Sequence, residues 1–569
     1  MNTHVTAALA VAFCIGLASV SRAQPGSGSI TGVVTKSPGG EPAAFAVVKL
    51  ASEPPSVAPA GEQTQSVTTG ADGAFRFDDV EARPYWVVAN LPGYLPAEYG
   101  QRSPTGTGIS VDVANGQRVA VRITMWPTSG ISGRVVDADG DAVGRVQVLA
   151  LRLVYRDGQL STTIAQTVTT DDRGEYRMFW LTPGAYRVAA RPWDHESFAT
   201  AVNIGPPRRF STAEQGTSPL LMRRKAADGS LVEETAIPIY APSTPDQQLA
   251  STMTLAPGES ATNVDIQLAG SRVPARHIRG IVANPTGVPG QIQVLAVPRA
   301  MSPFAAISSA PLRSDGSFDL MGLAAGPYTL YTQDGSGAQP LEIADSDIDN
   351  IVLTVPPPII LNARVAIEGA AGAGRIDASS LHVQLTRDPD VLGAPSGGPR
   401  FNPAPDPDGK LALNGIGPGN YRVSVTPLRQ NSYLKSVRLG TSDVLAEGLH
   451  LWAPVQATLD IVVSLNGAEI DGTALDDRRE PASNVVVVAV PGGANSDRRD
   501  AYRRVMTDRR GHFTMQGLVP GDYTLYAWDD VERGAWESPE FLRGFEGRGR
   551  FVRVREGKND PAELTVVSR

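Results

Sequence analysis

One phrase recurs five times along this chain, and whatever fold the chain adopts must accommodate it five times. GAFRFDDVEARPYWVVAN starts at Gly73, GEYRMFWLTPGAYRVAAR at Gly174, GSFDLMGLAAGPYTLYTQ at Gly316, GKLALNGIGPGNYRVSVT at Gly409 and GHFTMQGLVPGDYTLYAWDD at Gly511. A tyrosine follows each glycine by twelve residues: Tyr85, Tyr186, Tyr328, Tyr421 and Tyr523. Position +2 holds Phe75, Tyr176, Phe318, Leu411 and Phe513, and position +4 holds Phe77, Met178, Leu320, Leu413 and Met515. Apolar residues two apart predict a strand with one buried face. Pro183-Gly184, Pro418-Gly419 and Pro520-Gly521 supply a reversal, since Pro presets φ and Gly accepts positive φ. A second alternation follows, as in Tyr523, Leu525, Ala527. Asp72, Asp172, Asp315, Asp408 and Asp508 stand just before the glycines, where turn chemistry is expected. The tyrosines stand in register with buried positions and are expected in the core.

Other hairpins flank the phrase. SITGVVTKSPGGEPAAFAVVKL (29–50), GISGRVVDADGDAVGRVQVLAL (130–151), HIRGIVANPTGVPGQIQVLAV (277–297) and EIDGTALDDRREPASNVVVVAV (469–490) read strand, turn, strand. The fourth copy, from residue 359, lacks the opening glycine, and its +2 position lacks the aromatic. Closing hairpins turn at Asn115-Gly116, Pro257-Gly258 and Glu556-Gly557. About seven short strands per 100 residues predict an all-β chain: a tandem array of five antiparallel seven-stranded Ig-like β-sandwiches. Expected boundaries are 24–127, 128–270, 271–356, 357–464 and 465–569. The long second interval places an insertion at 193–250, read as an irregular loop. Pro356-Pro357-Pro358 reads as a stiff junction.

The formal charge of −8 over 569 residues gives no basic footprint, so no nucleic-acid partner is expected. Residues 1–23 carry a short apolar run, 8–20, then Ser21 and Ala23 at the −3 and −1 positions of a signal-peptide cleavage site. Export to the periplasm, the outer surface or the medium is the expectation, with no membrane span after cleavage. Cys14 is the only cysteine, so a cleaved chain has no disulfide and no thiolate.

The pattern G-x-V-x-D-x-x-G-x-P-V-x-G-A-x-V followed by T-D-x-x-G-x-[FY]-x-[FL]-x-x-L-x-P-G-x-Y-x-[LV] resembles the carboxypeptidase regulatory-like domain. TTDDRGEYRMFWLTPGAYRVAA (169–190) and MTDRRGHFTMQGLVPGDYTLYA (506–527) are similar to it, and the likeness runs along nearly the whole chain after residue 23. It implies a prealbumin-like sandwich close to carbohydrate-binding-like folds. The C-terminal stretch 537–567 resembles the end of multi-repeat envelope proteins of soil bacteria. Function does not follow from such a fold.

Motif chemistry is sparse. His4, His195, His277, His382, His450 and His512 stand singly, without zinc-ligand spacing. No G-x-S-x-G, HExxH or Walker loop occurs. The acidic run Asp137–Asp141 lacks the later Glu of a calcium loop and reads as a solvated turn. No metal, cofactor or catalytic residue is expected. Sugar binding uses exposed aromatic faces, and the tryptophans outside the core alternation are Trp126, Trp193, Trp528 and Trp536. Trp528, Asp529, Asp530 and Trp536 form the candidate ligand-binding cluster. The expectation is an exported, non-catalytic array that binds carbohydrate at the cell envelope, with a polysaccharide or envelope protein as partner. The alternatives are a structural stalk or protein-interaction array without a sugar ligand, and an enzyme with an unrecognised site.

Overall fold

The computed structural model describes residues 28–51, 65–156, 158–191, 221–225, 228–285, 292–299, 308–333, 335–369, 377–388 and 403–567. The expected signal segment, Cys14, Trp193 and His195 lie outside these residues. The chain divides into two compact units: Met1–Leu91, Pro96–Tyr99 and Ile109–Met125, then Pro92–Leu95, Gly100–Gly108 and Trp126–Arg569. Described regular structure is nearly all strand, with only single-turn helices. No helix among the described residues is long and apolar enough to cross a membrane; β-barrel crossing is a separate matter.

In the first unit, strand Gly28–Lys36 lies between Ala74–Val80 and Arg118–Met125. A second sheet holds Gln65–Thr68, Val47–Ala51 and Pro84–Asn90. Its buried residues include Ile30, Val34, Val48, Phe75, Phe77, Tyr85, Val87 and Ile123.

The second unit repeats this plan. Ser129–Val136 pairs with Glu175–Leu181, and Gln147–Arg156 pairs with Gln159–Thr169 and Gly184–Arg191. Ile131, Val135 and Met178 from one sheet meet Val148, Tyr186 and Val188 from the other in one core, as a sandwich requires. Three further cores follow along the chain, around Ile278–Val355, Ile359–Val463 and Ala468–Leu564.

Three features differ from the sequence expectation. First, the sandwiches are not wholly antiparallel. The opening strand runs parallel to the closing one in Gly28–Lys36/Arg118–Met125, Arg276–Ala283/Ile348–Thr354, Ile359–Glu368/Leu459–Ser464 and Ala468–Leu475/Ala562–Val567. The closing strand arrives after the chain has crossed to the facing sheet, and such pairings cannot be read from local alternation. Second, Ala562–Val567 also pairs with Gly521–Trp528, which merges the two layers of the last sandwich into one continuous sheet. Third, the described part of 193–250 is not an irregular loop. Leu221–Lys225 and Leu231–Ala236 form a hairpin that pairs with Arg272–Pro274.

The recurring motifs find physical reasons here. The opening glycine faces the +2 aromatic across the sheet: Gly32 opposite Phe75, Gly133 opposite Tyr176, Gly280 opposite Phe318 and Gly472 opposite Phe513. A Cβ on Gly32 would lie 2.6 Å from both the Phe75 ring and the Val121 carbonyl. The fourth copy lost both partners together, with Ala363 opposite Leu411. The threonine of the phrase is buried too. Thr69, Thr170 and Thr507 each donate to one carbonyl (Ala43, Val143, Ala482) and accept from one amide (Ala46, Val146, Val485). The turn aspartates are Asp72, Asp315 and Asp508 as expected, but Asp171 and Asp406 do this work in place of Asp172 and Asp408. The carboxylate three residues before the glycine reaches amides on the far side of the turn, as Asp508 does to His512 at 2.8 Å. Asp137 bonds the amides of Asp139 and Asp141 within its own turn.

Candidate functional site

The phrase ends at Trp528, so the candidate cluster is built by the last motif strand. Along Gly521–Trp528, Tyr523, Leu525 and Ala527 face the sandwich core, and Tyr526 and Trp528 face outward. That outer face is not open to solvent. Residues 531–545, including the turn Ala535–Glu537 and the helix Pro539–Arg543, fold over it. Trp528 is 0% exposed and Trp536 6%. Trp528 stacks on Tyr526, with centroids 4.9 Å apart and planes at 12°, and meets the edge of Phe545 at 5.6 Å. Val486, Val488, Val490 and Val567 complete this second core.

Trp528 and Trp536 therefore come together, as a packing core and not as an exposed sugar-stacking face. The two aspartates are committed to neighbours in the same unit. Asp529 pairs with Arg102 at 2.8 Å, and Asp530 accepts from the Ser103 hydroxyl at 2.8 Å. Trp126 is also buried. The run VVVVAV, residues 485–490, carried the signal of a strand apolar on both faces, hence covered on both.

Among the described residues, the exposed tryptophans are Trp180 at 67% and Trp452 at 62%. Trp180 sits six residues after its motif glycine with φ +62°, where three other copies place Gly322, Gly415 and Gly517 in the same left-handed region. Its ring meets Phe179 edge-on at 4.7 Å. A bulged position filled by glycine elsewhere is the signal that points to it.

The other concentration of polar geometry lies where successive cores of the second unit meet. Only three residues separate strand Leu459–Ser464 from strand Ala468–Leu475. Beside them, the Asn431 carbonyl accepts from the Gly467 amide at 2.9 Å, and its Oδ1 accepts from the Gly517 amide at 3.2 Å. Arg498 donates through Nη2 to the Leu434 carbonyl at 2.6 Å. Tyr433 packs in a buried cluster with Ala501 and Val519, and its hydroxyl donates to Glu556 at 3.1 Å. A Cβ on Gly517, whose φ is +71°, would lie 3.0 Å from the carbonyls of Gln430 and Ser432.

Upstream, the hairpin Leu221–Ala236 docks on the next sandwich. Thr235 donates to the Gly322 carbonyl at 2.9 Å. His277 stands between two carboxylates, with Nε2 2.8 Å from Glu233 and Nδ1 2.8 Å from Asp319. A ring that donates from both nitrogens is the imidazolium. Burial opposes that charge, yet the hydrogen bonds to Glu233 and Asp319 outweigh it and raise the His277 pKa above its ordinary value. The His277 and Arg223 hydrogen bonds hold Glu233 below the carboxylate norm. The raised histidine stabilises fully below its unfolded pKa and loses that contribution as pH rises through the folded one. The lowered Glu233 does so above its unfolded pKa and fails as pH falls through its folded one. This contact is therefore strongest at mildly acidic pH. The protection factors of the residue 231–236 amides, exchange measured against the intrinsic rate at the same pH, are expected to fall on going from mildly acidic to alkaline pH, and His277→Gln to abolish that fall. Protection independent of pH in the wild-type chain would contradict the arrangement.

Two segments, residues 29–125 and 130–213, match the family of the carboxypeptidase regulatory-like domain. No curated protein matches the chain. Among solved structures, the minor pilin GBS52 of Streptococcus agalactiae is 14% identical, covering 44% of this chain and 97% of that one at a TM-score of 0.21. The major pilin subunit BcpA of Bacillus cereus is 9% identical, covering 58% and 99% at 0.14. The Bacillus anthracis TIE protein is 11% identical, covering 58% of this chain and 51% of that one at 0.16. Superposition this poor carries no weight for fold or function.

Proposed function

We propose, from the premise that residues 29–125 and 130–213 are carboxypeptidase regulatory-like domains, that the whole chain is an exported, non-catalytic array of five such sandwiches. The segments 24–127, 128–270, 271–356, 357–464 and 465–569 are the modules of this reading. Its work is structural: it holds modules in fixed relation and presents their surfaces to an envelope partner. The observation that carries this is the junction at Asn431. A flexible string of beads needs no such contacts, whereas here one asparagine bonds two glycine amides of the next sandwich, and a buried apolar cluster of Tyr433, Ala501 and Val519 lies beside it. Contacts of this kind limit the relative motion expected by default between domains.

The amides of Gly467 and Gly517 report the junction directly, because each donates across it to Asn431. Both are expected to exchange at least about 100-fold slower than an open amide. Gly517→Val, strained at positive φ and crowded by two carbonyls, is expected to return the Gly467 amide toward the open rate. Open-chain exchange at both amides in the wild-type protein would contradict the reading.

A second reading has one specific observation in its favour. The exposed Phe179–Trp180 pair is the aromatic surface that a sugar-binding module would need, in place of the buried Trp528 and Trp536. A Trp180→Ala variant that loses a glycan-array signal given by the wild-type chain would support it, and one that keeps that signal would count against it.

A further inference from the structure

Outside the recurring motifs, the second unit carries a cleft lined by charged side chains. It has a volume of about 740 Å³, within the range of small-ligand sites. Strand Gln147–Arg156 forms one wall, and residues 499–504 and 532–537 form the other. Its charge is unlike that of the rest of the chain. Arg152, Arg499, Arg503, Arg504 and Arg533 line it against two glutamates, a net of +3 in a protein of formal charge −8.

Arg152 is only partly compensated. The nearest carboxylate to Arg152 is Glu532 at 4.0 Å, the outer limit of an ion pair, and the buried Arg152 Nε has no hydrogen-bond partner. Burial holds Arg503 below the usual arginine range, and the neighbouring Arg533 charge acts in the same direction on the more exposed Arg504. Such crowding is unfavourable until an anion enters. The fold also fixes some of these groups in advance. Arg503 Nη1 donates to the carbonyls of Asp500 and Tyr502 at 2.7 and 3.0 Å, and Arg504 Nη2 to the Thr107 hydroxyl at 3.0 Å. Tyr155, Tyr502 and Trp536 add planar walls.

We propose that this cleft binds a multivalent oxyanion, a small ligand bearing two or more carboxylate or phosphate groups. Guanidinium forks match both groups bidentately, and several arginines in one cleft exceed what a single oxyanion can satisfy. Carboxylates carried on an acidic oligosaccharide and phosphates in a chain share this chemistry. The scaffold reading does not depend on the cleft, and the junction exchange experiment tests that reading separately.

The test is titration calorimetry of the full chain at low salt with two probes, trigalacturonate and tripolyphosphate. Saturable 1:1 binding of at least one is expected, weakened about tenfold or more between 50 and 500 mM NaCl. The probe that binds more tightly identifies the source of the oxyanions. The double variant Arg504→Gln/Arg533→Gln is expected to lose at least about tenfold in affinity. Arg223→Gln/Arg224→Gln, whose guanidinia pair with Glu233 and Glu234 on the hairpin, is expected to bind as the wild type does. Should the first double variant fail to fold, Arg533→Gln alone decides: a loss of about threefold or more supports the site, and none overturns it. Absence of saturable binding by both probes, or equal weakening by the hairpin variant, also overturns it.

Discussion

Tyr523→Ala is expected to destabilise the last sandwich by about 3–5 kcal/mol, the range for truncating a buried aromatic. Tyr523 is 0% exposed and packs among Ile470, Val487, Phe513, Met515 and Leu564. Its hydroxyl lies 3.4 Å from the Ala501 carbonyl, and burial pushes its pKa up to about 12. The analogous hydroxyls of Tyr186 and Tyr421 donate to carbonyls four residues back, at 2.6 and 2.7 Å. Truncation thus removes a core ring and its hydroxyl contact with the Ala501 carbonyl together. Tyr523→Phe keeps the ring and is expected to lose only about 0.5–1.5 kcal/mol. Denaturant-dependent hydrogen exchange of the Gly521–Trp528 strand amides reads the stability of the last sandwich and separates the two. A loss below about 1 kcal/mol for the alanine variant would place the ring outside the core.

The second large effect concerns a residue with no side chain. Gly472→Ala is expected to cost about 2–3 kcal/mol, at the upper end of overpacking. The added Cβ would run into the Ala562 carbonyl oxygen and the Phe513 ring. Backbone cannot move aside as a flexible side chain can, but the ring can be made smaller. Phe513→Leu therefore relieves half of the conflict, and the double variant should be less destabilised than the sum of the singles by about 1 kcal/mol. The fourth copy holds the corresponding pair in this form, with Ala363 opposite Leu411. Additivity within about 0.5 kcal/mol would show that glycine and aromatic are not coupled.

These pairs show what the sequence made legible. The alternation at +2 and +4, the Pro-Gly reversals and the motif tyrosines all belong to strands packed in sandwiches, because local periodicity reports which face is buried. The missing glycine and missing aromatic of the fourth copy were visible as two separate departures. Only register shows that they are one event. Parallel pairing of first and last strands joins residues about 90 apart, as in Gly32 with Val121, and leaves no local mark. Trp528 and Trp536 lie beyond the core alternation, and a tryptophan there reads as exposed until a covering segment is placed over it. The valine run 485–488 carried that information, since a strand apolar on both faces needs two covers. The Arg498–Leu434 and Asn431–Gly517 contacts depend on how one sandwich meets the next, which no single-copy pattern encodes. The arginine cleft gathers residues 152, 499–504 and 533 from distant segments, so no spacing rule could assemble it.

Holding the modules in fixed relation depends most on the junction between the last two sandwiches. The most direct measurement is a distance distribution between spin labels at Lys410 and Arg550, exposed positions on either side of it, in the full chain with Cys14→Ser. One narrow distribution is expected, and it broadens in Gly517→Val. A distribution already broad in the wild-type chain, and unchanged by Gly517→Val, would mean that the modules swing freely and that the contacts at Asn431 do not hold them.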